Sequence, residues 1–229
     1  MTGKTHKVGG VLCCLAGYSL LQSKGYLIQG VNPLVQLTVM YPFSIYGSII
    51  SDLDHNPKSA PAKDPFSTGI NRVLHLSTGI CKKASEEHKN INPILSVLNA
   101  KHRSWQTHSD LFLILSILLS HWLLNSSING VDVIIIRLIS LGLILGIISH
   151  MILDMLTPEG IWSLISIAIG KITGIKTPKK VHLVPSKKFF ATDGPWEGWV
   201  RKIMVFACWV LIIRIVYLAL PYRLSFNIN

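Results

Sequence analysis

The chain has 229 residues, of which 49% are hydrophobic and only 14% are charged, against about 25% charged in an average soluble domain. Its 22 Lys and Arg outnumber its 11 Asp and Glu, which gives a net charge of +11 with histidine neutral. This composition excludes a disordered chain and argues against an ordinary soluble domain, while the positive charge favours an anionic partner such as a membrane surface. The four cysteines include no C-x-x-C pair, so neither a disulfide framework nor a thiolate zinc site is predicted.

Apolar segments follow one another along most of the chain and predict membrane-spanning helices. A span needs roughly 20 predominantly apolar residues, so the short stretch Gly160–Gly170 is predicted to be re-entrant or interfacial. The sequence therefore predicts one all-α, polytopic, membrane-embedded domain over residues 1–229, with about four to five transmembrane helices. The predicted spans are Val8–Ser23, Gly25–Ser51, Leu111–Val131, Val133–Leu153 and Ile203–Tyr222.

Lysine and arginine are concentrated in two loops, residues 56–108 and 171–202, each of which carries eight of them. The turn at residues 125–130, between the two middle spans, carries none. Because cytoplasmic loops retain the excess of Lys and Arg, both basic loops and the N-terminus are predicted to be cytoplasmic.

The first ligand-type cluster follows the second apolar segment, where Asp52, Asp54 and His55 occur within four positions. Solubilising charge at a membrane exit is more often Lys or Arg, so these residues favour metal or phosphate chemistry. The alternative is a helix terminus with local turns in which aspartate side chains bond the backbone.

The strongest local signal lies at the end of the fourth apolar segment, where His150 and Asp154 are four residues apart. This spacing places both side chains on one face of a helix, where an imidazole and a carboxylate can ligate one divalent ion. Ionisable groups within a membrane segment are costly and favour a functional role. The alternative is a hydrogen bond between the two side chains inside a helix bundle.

Further candidates lie at the same predicted membrane face. His6 precedes the first span, and His102, Arg103 and His108 precede the third. Each is weak alone, because loop and terminal histidines are usually solvated, but the predicted topology brings all the clusters to one side. Glu197, in a Gly/Pro/Trp-rich turn before the last span, is a candidate acid or base.

Taken together, these motifs resemble the YdjM-like family, described as LexA-regulated, membrane-bound, metal-dependent hydrolases. The resemblance covers about residues 1–200 and implies a bacterial inner-membrane protein. The ligand order is more distantly similar to that of zinc phospholipases C and single-strand nucleases, whose further histidines have only His182 as a spare counterpart here, which argues against a trinuclear site. The matching motifs are Thr5-His6, Ser51–His55, His102-Arg103, Thr107–Ser109, and Ser149-His150 with Asp154, Thr157 and Gly160.

The predicted function is that of a metal-dependent hydrolase with a mono- or dinuclear site at the cytoplasmic membrane face. Nitrogen and oxygen ligands suit Zn, and also Mn or Fe. Arg103 would neutralise charge on a phosphoryl oxygen. The expected partners are membrane lipids and an amphiphilic anionic substrate, a phospholipid or lipid-linked phosphate, and nucleic acid is not an expected partner. The predicted ligands are His6, Asp52, Asp54, His55, His102, His108, His150 and Asp154.

The alternative is a non-enzymatic membrane protein, either a metal carrier or a basic adaptor that binds anionic lipid or nucleic acid. A carrier needs polar residues through the whole membrane, and only Arg137, Arg214 and His121 are available for such a path. The absence of acidic residues from that path disfavours a carrier more than an adaptor.

Overall fold

A computed structural model describes residues 1–54, 68, 69, 72, 107–125, 131–183 and 194–225. This part of the chain is mostly helical. Its helices are α1 (Gly3–Ser23), α2 (Pro33–Ile50), α3 (Asp110–Asn125), α4 (Val131–Met155), α5 (Leu164–Thr173) and α6 (Pro195–Ser225), and a 3₁₀ helix, Ser51–Asp54, continues α2.

Among the described helices, three are long and apolar enough to cross a membrane: α2, α4 over Val133–Met155, and α6 over Pro195–Ala219. The predicted count of four to five spans is not confirmed. The apolar part of α3 is the shorter Asp110–Trp122. Helix α1 begins with a polar turn that includes Lys4 and Lys7, which shortens its apolar stretch.

Helix α1 packs against α2, α4 and α6. Its buried residues include Cys14, Leu15 and Tyr18, which pack with Met40 of α2 and Ile215 of α6. Because its neighbours are protein rather than lipid, α1 can bury small and polar residues that a lipid-facing helix would expose at a cost.

Helices α2 and α4 pack with their backbones in contact. A Cβ atom on Gly146 would collide with the carbonyl oxygen of Ser44, and one on Gly47 would collide with the carbonyl oxygen of Leu143. Glycine is therefore required at both positions for this approach, as is common between membrane helices. The close contact brings the C-terminal halves of α2 and α4 together.

The described residues include one short β-ribbon, which the predicted all-α class does not contain. Strand β1 (Ile161–Trp162) pairs antiparallel with β2 (Lys180–Val181), on either side of α5. The backbone N–H of Trp162 also donates to the carbonyl oxygen of His108, at 2.8 Å. Strands of two residues have no alternation pattern to detect, so the sequence does not predict them.

Candidate metal centre

Five of the predicted ligands lie together at one end of the bundle. They are contributed by the start of α1, the turn after α2, the residue pair before α3 and the last turns of α4. Four are fully buried, and Asp52 is 9% exposed. The five are His6, Asp52, His108, His150 and Asp154.

Three ligand atoms form a nearly equilateral triangle at the centre of this cluster. His108 Nε2 and His150 Nε2 are 3.2 Å apart, and Asp154 Oδ2 lies 3.3 Å from each. Around a tetrahedral ion with bonds of about 2.0 to 2.1 Å, neighbouring ligand atoms are about 3.3 to 3.4 Å apart. The triangle thus has the dimensions of one face of a tetrahedral zinc site.

The tautomer of His150 is fixed by the backbone of α2. Its Nδ1 lies 2.7 Å from the carbonyl oxygen of Ser48. A carbonyl can only accept, so Nδ1 carries the proton and Nε2 of the neutral ring has a free lone pair that points into the cluster. On His108, Nδ1 lies 2.9 Å from the hydroxyl of Thr107, which orients the second ring. Metal-binding histidines are typically oriented in this way through their other ring nitrogen.

The other two candidate ligands, Asp52 and His6, lie next to this triangle. Asp52 Oδ1 lies 3.7 Å from His108 Nε2 and 3.8 Å from His150 Nε2. His6 stacks on His150 with ring centroids 4.0 Å apart, and its Nε2 lies 3.5 Å from Asp154 Oδ1. Asp154 therefore directs one oxygen to His6 and the other to the two remaining histidines.

His6 is a poorly hydrogen-bonded member of the cluster. Both of its ring nitrogens are buried, and neither makes a hydrogen bond within the part of the chain that the structure describes. A buried polar atom without a partner costs about 1 to 3 kcal/mol. A divalent ion would supply the missing partner, so the residues present fit a metal.

The protonation states also suit metal binding. Burial lowers the pKa of His6 to about 3, so the ring is neutral near pH 7. Burial alone would raise the pKa of Asp52, but the adjacent His150, His108 and His6 outweigh it and hold that pKa below its usual range. A neutral imidazole and an ionised carboxylate are the forms that bind a cation.

Two overlapping groups could each hold an ion. One consists of His6, Asp52 and His150, and the other of His108, His150 and Asp154. Both require His150, which has one free ring nitrogen because Nδ1 donates to Ser48. Among the described residues, this arrangement favours one ion bound through His150 over two.

Glu197 lies close to the cluster, at the start of α6. Its Oε1 accepts hydrogen bonds from the backbone N–H and the hydroxyl of Thr2, both at 2.6 Å, and from the hydroxyl of Thr5 at 2.5 Å. These bonds attach the start of α1 to the start of α6 and so fix the residue before His6. They support a positioning role, and the predicted role as acid or base remains a prediction.

The other predicted site residues cannot be placed. His55, His102 and Arg103 lie outside the described residues, as do most of residues 56–108 and the segment 184–193. Asp54 ends the 3₁₀ helix, but its side chain is also outside the described part.

Two orienting groups were not predicted from the sequence. The carbonyl oxygen of Ser48 belongs to the backbone, and no residue type signals its role. Thr107 belongs to the sequence motif Thr107–Ser109, but nothing in that motif indicates that its hydroxyl orients His108.

The family model described as YdjM inner membrane protein matches residues 1–221. Searches of curated proteins and of solved structures found no significant match.

Proposed function

The chain belongs to the YdjM inner membrane protein family, and we propose that it is a multi-pass, metal-dependent hydrolase that cleaves a phosphoester of a lipid or lipid-linked substrate. The proposed metal is Zn, with Mn or Fe as alternatives that accept the same nitrogen and oxygen ligands.

The observation that supports this proposal best is the triangle of His108 Nε2, His150 Nε2 and Asp154 Oδ2. Its edges of 3.2, 3.3 and 3.3 Å match a tetrahedral ligand face. A competing interpretation is a metal-free cluster in which one histidine donates a proton to the other. That interpretation explains only the 3.2 Å contact between the two rings, whereas a bound ion also explains why Asp154 Oδ2 lies 3.3 Å from both of them.

In this proposal, the residues that bind the ion are distinct from those that orient the ligands. His108, His150 and Asp154 hold the ion, and Ser48 and Thr107 keep the two rings in the binding orientation. A divalent ion bound there would lower the pKa of a water molecule and polarise the scissile phosphoryl group.

Asp52 marks the direction from which a substrate would approach. It keeps 9% of its surface exposed, whereas His6, His108, His150 and Asp154 are at 0%. The Asp52 carboxylate at this edge would accept a hydrogen bond from the attacking water and could take up its proton. In the same proposal, Arg103 neutralises charge on the phosphoryl oxygens.

The lipid nature of the substrate is inferred from the setting of the site. The cluster lies at the ends of apolar helices, and the chain carries a net charge of +11. A phospholipid could place its phosphate near the ion while its acyl chains stay in the bilayer. A basic surface would attract such anionic headgroups.

The decisive experiment compares metal content and activity in purified, detergent-solubilised protein. Asp154→Asn keeps the size of the side chain but removes its charge, so we expect it to lose stoichiometric metal and hydrolysis of phospholipid. The matched control is Glu159→Gln, which removes the same charge from an exposed residue five positions along the chain. The control should retain both properties.

Metal must be measured per folded protein, because an intramembrane carboxylate can also support helix packing. Wild-type protein without stoichiometric metal, or an Asp154→Asn variant that retains it, would overturn the site. Bound metal without hydrolysis of any lipid phosphoester would instead favour a non-enzymatic adaptor or carrier.

A further inference from the structure

Helix α5 carries its apolar residues on the side that faces away from the protein. Ile165, Ile169 and Ile172 recur at the spacing of one helical face and are 43%, 49% and 85% exposed. A helix on the surface of a water-soluble protein has the opposite arrangement, with its apolar face toward the core. The outward face of α5 is therefore suited to contact with an apolar medium.

The length of α5 excludes a transmembrane position. The helix comprises 10 residues, Leu164–Thr173, which corresponds to a length of about 15 Å, roughly half the hydrocarbon thickness. It begins with a side-chain cap from Ser163 and ends at Gly174, which has a positive φ of 72°. Both ends are thus terminated locally, as expected of a helix that lies along a surface.

The start of α5 is attached to the segment that carries one of the candidate ligands. Asp110 accepts hydrogen bonds from the backbone N–H groups of Leu164 and Ile165, at 2.9 and 3.3 Å, and from the hydroxyl of Ser163, at 2.9 Å. Asp110 is two residues from His108, whose carbonyl oxygen accepts from Trp162. The outward apolar face therefore lies at the level of the metal centre, where α3 begins.

Positive charge accompanies this apolar face. Lys171, Lys176 and Lys179 lie in and after the last turn of α5, and all three are exposed. A short helix with an apolar face and flanking lysines is suited to the boundary between acyl chains and anionic headgroups. Lysines near such a surface strengthen its attraction to anionic lipid.

We infer that α5 docks on the surface of an anionic bilayer, with its isoleucines among the upper acyl carbons and its lysines among the headgroups. Through Asp110, this docking holds the His108 segment at headgroup level. The consequence that the substrate is a membrane lipid rests on the proposed function, but the docking itself does not.

Spin-label accessibility in full-length protein, reconstituted into phosphatidylglycerol-containing nanodiscs, tests the docking. Labels would be placed by Ile165→Cys, Ile169→Cys and Ile172→Cys on a background without the native cysteines. A label at the exposed Glu159 serves as the aqueous control. We expect the three α5 labels to be accessible to oxygen and protected from a water-soluble nickel chelate, and the Glu159→Cys label to show the reverse.

A second arm tests the lipid charge. Replacing phosphatidylglycerol with phosphatidylcholine should move the Ile172→Cys label toward water. Changing Lys171, Lys176 and Lys179 to glutamine should remove the difference between the two lipids. The docking would be overturned if the Ile172→Cys label were as accessible to the nickel chelate as the Glu159→Cys control label.

Spin–spin broadening between two copies would also overturn the inference, because it would assign the face to a second chain. None of these signals requires bound metal. Failure of the docking would therefore leave the metal result of the proposed function intact, and loss of the metal site would leave the label accessibilities unchanged.

Discussion

The carbonyl oxygen of Ser48 on α2 lies 2.7 Å from Nδ1 of His150 on α4. This hydrogen bond makes the orientation of a candidate ligand depend on helix packing, because it fixes which nitrogen of His150 faces the other ligands. It depends on the close approach of the two backbones, which Gly146 and Gly47 permit. The orientation of a ligand is thus set by glycines that lie outside the site.

The first prediction concerns that approach. Gly146→Ala would place a Cβ against the carbonyl oxygen of Ser44 and 2.6 Å from the backbone nitrogen of Ser48. We expect a loss of about 1 to 3 kcal/mol in the free energy of unfolding, as for other overpacked positions. Metal affinity should fall as well, because the Ser48 carbonyl moves relative to His150.

Unfolding by SDS titration and metal titration in mild detergent would measure the two effects. Gly198→Ala is the matched control, since a Cβ at Gly198 meets nothing within 4 Å. Alanine is the better helix former, so the control should not lose stability. Equal stability of Gly146→Ala and wild type would show that the backbones are less closely packed than described.

Glu197 gives a prediction that separates two roles. Its Oε1 accepts three hydrogen bonds from Thr2 and Thr5. In Glu197→Gln an amide oxygen can still accept, so a positioning residue should tolerate the change. An acid or base should not, because the amide cannot exchange protons at neutral pH.

We therefore expect Glu197→Gln to keep metal affinity and kcat near the wild-type values. Glu197→Ala should weaken metal binding, because the residue before His6 loses its anchor. A large fall in kcat for the glutamine variant, with metal content unchanged, would instead assign Glu197 to proton transfer. Metal titration and steady-state kinetics on one set of preparations distinguish the outcomes.

The positions of the long helices could be predicted closely from the sequence. Which neighbours each helix packs against could not. Long apolar runs, interrupted only by Arg137 in α4 and Arg214 in α6, located α2, α4 and α6, because a span needs roughly 20 predominantly apolar residues. The same criterion predicted a span at α1, whose Thr5, His6 and Ser19 are buried because three other helices pack against it. Single-chain hydropathy contains no information about which helix is enclosed.

The candidate site was predictable in its residue types and less so in its geometry. The i, i+4 spacing placed His150 and Asp154 on one face of α4, and the structure has them 3.3 Å apart. The topology argument also brought His6, Asp52 and His108 to the same end of the bundle. The backbone partner of His150 arises from tertiary packing alone, so no local pattern indicates it.

Orientation in the membrane remains a prediction from the distribution of basic residues. The N-terminus and the loops at residues 56–108 and 171–202 are expected to be cytoplasmic. Cysteine substitution at Ser85 and Ser127, labelled with an impermeant maleimide, tests it. Ser85→Cys should react only from the cytoplasmic side and Ser127→Cys only from the periplasmic side, and the reverse pattern would invert the topology.

The last prediction uses the cost of burying an imidazole whose ring nitrogens make no hydrogen bond among the described residues. His6 is fully buried, and neither ring nitrogen has a hydrogen bond among the described residues. Removing a buried polar group that lacks a partner should gain about 1 to 3 kcal/mol. In metal-free protein, His6→Leu should therefore be more stable than wild type, since leucine fills a similar volume with apolar atoms.

The same substitution should weaken zinc binding if the imidazole is a ligand or contacts one through Asp154, whose Oδ1 is 3.5 Å away. If His6 contributes to the metal site, His6→Leu should therefore raise the stability of the metal-free protein and lower its zinc affinity. A core histidine would show the same gain in the metal-free protein but no loss of zinc affinity, so the zinc titration distinguishes the two roles. His121→Leu, at an exposed position on α3, is the control for histidine replacement in general. Thermal unfolding with and without zinc, for wild type and both variants, measures the two quantities together, and a His6→Leu protein that binds zinc as tightly as wild type would remove His6 from the site.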